Sequence, residues 1–164
     1  MGAFRWEKEW VNILREQEDI LRYESFTRED ALALGLKIAE LAEEKYHGSA
    51  AIRILEDGMT VFAYKMPGSS PENDWWAGKK LAVSRRCGVS SLRAYVEAEA
   101  GLREAFWLAR PDNYAACGGC VPVKMKAGSS WACVLVSGLE HYEDHQVIAD
   151  AMAWQLGKEI PSIT

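Results

Sequence analysis

The chain has 164 residues, of which 49% are apolar and 26% are charged, and its formal net charge at neutral pH is −5. This composition is typical of one soluble domain, and the acidic balance argues against a surface built to neutralise nucleic-acid phosphates. No apolar run is long enough to cross a membrane, and the first residues lack the order of a signal peptide. We therefore expect a cytoplasmic protein with reduced cysteines, and neither nucleic acid nor a membrane as a partner.

Tryptophans distinguish the N-terminal segment. Trp6 and Trp10 recur with aliphatic residues at helical spacing, which predicts an amphipathic helix over residues 4–23. Aromatic residues are enriched at interfaces, so we expect residues 1–24 to pack on a neighbouring subunit, beside a main part at 26–157 of the same single domain. Three further tryptophans are predicted to lie in the core or at an interface: Trp107, Trp131 and Trp154.

A capping motif and a turn motif set the next two elements. Thr27-x-x-Asp30 resembles a capping box, which predicts the start of a second helix. The period of the apolar residues then changes over residues 51–64, where they flank Asp57-Gly58, a pair typical of tight hairpin turns. The sequence thus predicts a helix followed by a β-hairpin.

The second half of the chain repeats this alternation. Helices are predicted at residues 71–87, from Ser90 or Ser91 onward and at 142–156, and strands at 120–126 and 131–137. Ser70 and Pro71 fit an N-cap and a first helical position. Pro122 places its strand at an edge or at a strand start, whereas the apolar run 131–136 belongs at the centre of a sheet. Hairpins separated by helices predict the α+β class, with an antiparallel sheet of four to five strands flanked by helices.

Residues 66–91 carry the features most typical of a ligand site. A loop rich in Pro, Gly and Ser leads into a helix with adjacent Trp75 and Trp76 and a cluster of Lys and Arg. Lys79 and Arg86 are seven residues apart and share a helix face, where the backbone of the closing serine pair could help them to hold a carboxylate or a phosphate. The alternative is a capped helix start followed by a solvated run of charges.

Cysteine and histidine pairs suggest two weaker sites. Cys117 and Cys120 have the spacing of dithiol redox sites and of half a zinc site, but the pair leads into a predicted strand and lacks a second Cys-x-x-Cys. We favour cysteines around a Gly-Gly turn. His141 and His145 lie one helical turn apart and could share a metal ion, yet a role at the helix start is favoured, and we predict no metal site.

A series of motifs resembles one protein family in order and spacing. The motifs are Pro67–Trp76, Lys80 and Arg86, Ser90-Ser91, Tyr114–Gly119, Pro122, Ser137–Leu139 and Glu143–His145. Through them, residues 26–157 resemble a family within the GlcG-like and HbpS-like haem-degrading domain superfamily. The resemblance implies a profilin-like α/β fold and a homo-oligomer, a dimer or larger.

Together, the residues and the resemblance predict a protein that binds an anionic or planar small molecule, with haem as a candidate and no certain cofactor. The predicted ligand-binding residues are Pro67, Gly68, Ser69, Asn73, Asp74, Trp76, Lys80, Arg86, Ser90, Ser91, Cys117, Gly118, Gly119 and His145. The family pattern often has histidines where this chain has Val89 and Cys117, so Cys117 is the candidate thiolate ligand of a haem iron. No catalytic set can be assembled, which leaves enzymatic activity open. The alternative function is that of a non-catalytic oligomeric assembly or adaptor protein.

Overall fold

The computed structural model describes residues 4–127 and 131–164, and within them five strands form one sheet with helices on both faces. Helices α1 to α5 span Trp10–Ile20, Arg28–Glu44, Pro71–Cys87, Ser91–Glu99 and His141–Leu156. Strands β1 to β5 span Arg22–Tyr23, Ala51–Glu56, Met59–Lys65, Cys120–Met125 and Ala132–Ser137. A short 3-10 helix at Phe106–Ala109 follows α4.

The order of strands in the sheet is β1-β4-β5-β2-β3. The three pairs among β2 to β5 are antiparallel, and the added pair of β1 with β4 is parallel, so the predicted α+β class is confirmed with one short strand that the sequence did not indicate. The apolar strand β5 lies at the centre, as its composition predicted. Pro122 stands opposite Cys133 on β5, while β1 pairs with Lys124 and Met125 further along β4, so the proline occupies an edge stretch of the described strands.

Local signals fix the ends of the elements that frame the site. Helix α3 begins after Ser70, whose backbone N–H donates to the Asn73 side chain at 2.8 Å. The predicted hairpin turn is present, with both Asp57 and Gly58 at positive φ, as a two-residue turn that matches the strand twist requires. These caps and turns depend on neighbours in sequence, which is why the sequence located them.

The N-terminal helix differs from its prediction in extent and in packing. It begins at Trp10 rather than near residue 4. Trp10 and Leu14 are buried in a cluster with Leu92 and Tyr95 of α4. Packing within the chain thus covers part of this apolar face, and its contact with a neighbouring subunit stays a prediction. Trp154, expected in the core or at an interface, is 52% exposed.

The two faces of the sheet are covered by different helices. On one face, α2 and α5 bury Ile52 and Ile54 of β2 in the largest apolar cluster. On the other face, α3 packs Ala77 and Leu81 against β4 and β5. No helix in the described ranges 4–127 and 131–164 is both long and apolar enough to span a bilayer.

Candidate functional site

A cleft of about 450 Å³ opens beside the N-terminal half of α3. We call it the Lys80 cleft. Its walls come from α3, the β5–α5 connection, the start of α5, Cys117 and the N-terminal segment. The lining residues are Phe4, Arg5, Asn73, Trp76, Lys80, Cys117, Ser137, Gly138, Leu139, Glu140, His141 and Asp144.

A buried ion pair forms one side of this cleft. Lys80 is 2% exposed, and its ammonium donates to an oxygen of Asp144 at 3.2 Å and to the carbonyl of Val136 at 3.1 Å. A lysine carries three N–H donors, so one has no acceptor among the described residues. The cleft thus contains an oriented and largely desolvated ammonium group as a hydrogen-bond donor.

The carboxylate of this pair has an unusual proton affinity. Burial raises the pKa of Asp144 to about 6, although Lys80 and a 2.9 Å hydrogen bond from the Leu139 backbone N–H oppose the shift. A carboxyl with such a pKa changes charge close to neutral pH. Binding of an anion beside Lys80 would therefore be coupled to the protonation state of Asp144.

Two consecutive glycines let the chain pass close to the pair. A Cβ at Gly118 would overlap the carbonyl oxygen of His141, and one at Gly119 would overlap the carbonyl oxygen of Val136 and press on the Lys80 ammonium. Gly119 also has φ +129°, a conformation that side chains disfavour. The Gly-Gly sequence after Cys117 is therefore explained by the close approach of these two residues, just before β4, to the start of α5 and to β5.

Aromatic rings form the opposite side of the cleft. The Phe4 ring lies 4.9 Å from the His141 ring and 6.4 Å from the Trp76 ring, between centroids. The segment is anchored by its backbone, because the Tyr95 hydroxyl donates to the Phe4 carbonyl at 2.8 Å and His141 Nε2 bonds the Arg5 carbonyl at 2.8 Å. Residues 4 and 5 are thus part of the cleft rather than of a helix.

The two candidate iron ligands in the cleft, His141 and Cys117, are both held in forms that do not coordinate a metal. His141 accepts from the Gly118 N–H at 3.1 Å through Nδ1 and bonds the Arg5 carbonyl through Nε2, so both ring nitrogens are engaged. Burial lowers the His141 pKa to about 4. Burial also raises the pKa of Cys117 to about 11, so that its sulfur stays a thiol at neutral pH.

Several predicted ligand residues do meet in this cleft. Asn73, Trp76, Lys80 and Cys117 line it, and Gly118 and Gly119 support it from beneath. The Asn73 amide is oriented by its bond to the Ser70 N–H and lies 3.4 Å from the Ser137 hydroxyl. The meeting of Cys117 with the basic helix is a long-range contact that spacing alone did not establish.

Other predicted ligand residues lie elsewhere, and most have local roles. Asp74 faces away from the cleft and pairs with Lys65 at 2.6 Å. The Arg86 guanidinium stacks on Phe106 at 4.0 Å. Ser90 caps α4 by accepting from the Arg93 N–H at 3.1 Å.

The remaining predicted residues form supporting contacts. Ser91 is buried and accepts from the Cys120 N–H at 3.1 Å. The loop before α3 is held to the segment before β2 by the Ser49 hydroxyl, which donates to the Pro67 carbonyl. Within the loop, the Ser69 hydroxyl donates to the Met66 carbonyl at 2.7 Å. Gly68, in the same loop, has φ +96°.

The histidine and cysteine pairs do not converge on a shared site. His145 is 3% exposed and lies behind the cleft, where Nε2 bonds the Gln17 side chain at 2.8 Å. Burial lowers its pKa to about 3. Cys120 packs with Cys133 and Leu135 between the sheet and α3, whereas Cys117 lines the cleft.

Some cleft residues were missed by the sequence reasoning. Phe4 and Arg5 carried no recognisable signal, whereas Ser137 stands in the Ser-Gly-Leu motif that supported the family resemblance. Asp144 stands in the Glu-Asp-His motif that supported the family resemblance, and His141 lies one helical turn before His145. Those two could have been selected by extending the predicted face of the closing helix to its first turn.

Comparisons with known proteins bear on this fold and cleft. The family described as "Haem degrading protein HbpS-like" matches residues 26–153. The chain belongs to the HbpS-like family. This confirms the resemblance found in the sequence, and a UPF0303 protein of Streptomyces coelicolor is 37% identical to this HbpS-like chain over 147 residues, which are 88% of this chain and 92% of that protein.

Solved structures support the fold of this HbpS-like protein. The crystal structure of Ybr137w protein has a TM-score of 0.75 at 24% identity, covering 94% of this chain and 98% of that one. The crystal structure of a PduOC:heme complex has a TM-score of 0.63 at 17% identity, covering 80% of this chain and 94% of that one. At these identities the likeness establishes a shared architecture.

The family description makes haem the first group to compare with the residues present. Iron coordination in the Lys80 cleft would need the Cys117 thiol to lose its proton in a buried place, or His141 to break one of its two hydrogen bonds. Both changes cost free energy, so the cleft favours a ligand held through its organic part over one held through iron. Its aromatic rings and cationic donors suit the organic part of a planar, carboxylate-bearing molecule.

Proposed function

We propose that this protein binds a planar small molecule carrying a carboxylate in the Lys80 cleft, with porphyrins as the first class to test. The observation that carries the proposal is the Lys80 ammonium, which is almost fully buried, fixed by two acceptors and part of a cleft that aromatic rings also line. Specific small-molecule sites combine apolar walls with a few oriented polar groups in this manner. Membership of the HbpS-like family supports the choice of porphyrin.

The proposed mode of binding places charge and ring on different sides of the cleft. A ligand carboxylate would accept the remaining Lys80 N–H. Arg5, whose guanidinium pairs with Glu7 at 2.5 Å, also lines the cleft and adds positive charge. The ring system would lie against Phe4 and Trp76. Cys117 would contact the ligand as a neutral thiol.

A pair of titrations tests this mode. The purified full chain is titrated with haemin and, separately, with metal-free protoporphyrin IX, following Trp fluorescence and the porphyrin absorbance. Because the iron is not a predicted contact, both should bind with similar affinity, and Cys117→Ser should leave both unchanged. Lys80→Met should abolish binding of both. The matched control is Lys79→Met, because the Lys79 ammonium stacks on Trp75 at 3.9 Å.

Two results would contradict the proposal. Haemin binding that protoporphyrin IX does not share, and that Cys117→Ser removes, would mean that the iron is ligated by the thiolate. Failure of both porphyrins to bind would remove this ligand class.

The second candidate function is assembly into homo-oligomers as a non-catalytic scaffold. The observation that favours it is apolar exposure on helices α2 and α5, where Leu32 is 52%, Leu36 56% and Trp154 52% exposed. A second copy that covers these side chains would remove them from water. Light scattering of the wild type and of Leu32→Ser/Leu36→Ser tests this: an oligomer that the double variant reduces to monomers supports assembly, and a monomeric wild type contradicts it.

A further inference from the structure

A second opening lies on the other side of the first turns of α3. Helix α3 covers β4 and β5 on this face of the sheet, but β2 and β3 extend beyond it. The result is a groove of about 430 Å³, floored by Ala51, Ala63 and Leu135 and walled by Asp74 and Ala77 of α3. The two alanines of the floor leave this space open.

An arginine stands in the floor of the groove. Arg53 lies on β2 opposite Ala63 of β3 and Leu135 of β5, so its immediate cross-strand neighbours are apolar. Its Nε is buried and has no hydrogen-bond partner, and no carboxylate among the described residues forms an ion pair with its guanidinium. A buried N–H without an acceptor costs free energy, so an acceptor from outside the chain would stabilise this position.

The other charges of the groove do not supply that acceptor. Asp74 is engaged by the Lys65 ammonium at 2.6 Å, and the same ammonium also donates to the Ser70 carbonyl at 3.2 Å. Glu56 lies on β2 but pairs with Arg28 at 3.9 Å. With Lys65 and Asp74 offsetting each other, Arg53 leaves the groove with an excess positive charge.

The geometry of a guanidinium selects the class of ligand. Its planar fork of N–H donors matches the two oxygens of a carboxylate or a phosphate. Around it, Ala51, Ala63, Ala77 and Leu135 offer apolar contact to a short organic group. We propose that this groove binds a small organic oxyanion, a carboxylate or a phosphate ester, on Arg53, at a site separate from the Lys80 cleft.

The Arg53 Nε–H group is itself the reporter for this site. The full chain, labelled with 15N, is titrated with sodium benzoate and with sodium phosphate while the arginine Nε–H signals are recorded by NMR. Arg53→Lys assigns the signal, and Arg28→Lys, which alters an arginine with a 65% exposed side chain, is the matched control. We expect a saturable shift of the Arg53 signal with at least one of the two anions.

Variants separate binding at Arg53 from a general salt effect. Ala63→Met fills the floor of the groove without changing its charge. It should lower the affinity for the anion by about tenfold or more, as expected for loss of one charged hydrogen-bonded contact. Arg28→Lys should leave the shift intact. Since the main readout is made on the wild type, the test does not depend on whether Arg53→Lys folds.

Three results would overturn the proposal. The first is an Arg53 signal that neither anion moves. The second is an equal shift in Ala63→Met, which would mean that the anion does not occupy the groove. The third is a signal that responds to protein dilution and not to added anion, which would identify the acceptor as a carboxylate of a second copy.

Discussion

Two buried carboxylates of this chain have opposite surroundings. Glu97 on α4 is 3% exposed and accepts from Arg15 at 2.7 Å, from Arg103 at 2.9 Å and from Arg93 at 3.3 Å. Asp144, equally buried, has Lys80 as its one ion-pair partner among the described residues. Burial opposes ionisation of both, but the arginines hold the pKa of Glu97 below its ordinary value, whereas the pKa of Asp144 is raised to about 6.

The difference separates a structural charge from an adjustable one. Glu97 joins α1, α4 and the segment after α4, and its three partners keep it ionised throughout the neutral range. Asp144 stands at a cleft with a single cation, so a proton or a ligand can change its charge. Buried ionisable groups with raised pKa in clefts are typical of functional sites, and compensated networks are typical of structure.

The largest loss of stability is expected from neutralising Glu97, which pairs with three arginines. Glu97→Gln leaves three guanidinium groups facing a neutral side chain, and it should lower the free energy of unfolding by about 3 kcal/mol or more. Urea denaturation at neutral pH measures the change. Glu99→Gln, at an exposed position two residues later on the same helix, is the control and should differ little from the wild type. If the Glu97→Gln variant were as stable as Glu99→Gln, the contacts of Glu97 with the three arginines would contribute nothing to the free energy of unfolding.

Breaking the Lys80–Asp144 ion pair should lower the free energy of unfolding less than Glu97→Gln does, but it should abolish ligand binding. Lys80→Met leaves Asp144 without its cation, but Asp144 can then take up a proton, so the loss should be about 1–3 kcal/mol, the cost of an unpaired buried polar group. Porphyrin binding should disappear. In the double variant Lys80→Met/Asp144→Asn, the loss of stability should be smaller than the sum of the two single losses, which urea denaturation of all four proteins measures. Additive losses would show that the two side chains do not interact.

Acidification should change stability in opposite directions through the two imidazoles and through Asp144. The folded pKa values of His145 and His141, about 3 and about 4, lie below the ordinary 6.5, so the stability they contribute is present above pH 6.5 and is lost on acidification. Asp144 acts in the opposite direction, because its folded pKa of about 6 exceeds the ordinary 3.8 and its contribution is lost as the pH rises through 6. Two groups outweigh one, so stability should fall between pH 6.5 and 4.

Variants measure each part of this balance by urea denaturation across the pH range. His145→Gln keeps a side chain that can bond Gln17 and should make the acid loss shallower. Asp144→Asn should make it steeper, since the opposing contribution is removed. An unchanged slope in His145→Gln would mean that this imidazole takes up its proton as readily when folded as when unfolded.

The elements that sequence predicted well are those fixed by neighbours in the chain. The bounds of α3 follow from Ser70 and Pro71, and the hairpin follows from Asp57-Gly58. The cleft was predicted only in part, on its α3 side and at residues 117–119, because Phe4, Ser137 and Asp144 reach it from distant parts of the chain. The pairing of β1 with β4 was not predicted for the same reason: two residues carry no period.

The choice of both Lys80 and Arg86 as ligand residues shows where spacing was underused. Lys80 and Arg86 are six positions apart, which at 3.6 residues per turn puts them about 120° apart around the helix. They therefore could not both point into one narrow cleft. Spacing could have excluded Arg86, but it could not show that Lys80 is the buried one, because that depends on the approach of Asp144.

The smallest effect is expected at Arg86, and it sharpens the contrast between cleft and surface. The Arg86 guanidinium stacks on Phe106 at 4.0 Å at the far end of α3. Arg86→Ala should lower the free energy of unfolding by about 0.5–1 kcal/mol, the range of an exposed cation–π contact, and should leave porphyrin binding unchanged. Urea denaturation and the same fluorescence titration measure both. If Arg86→Ala abolished binding as Lys80→Met is expected to, then recognition would rest on the positive field of the whole helix and not on one oriented ammonium beside Asp144.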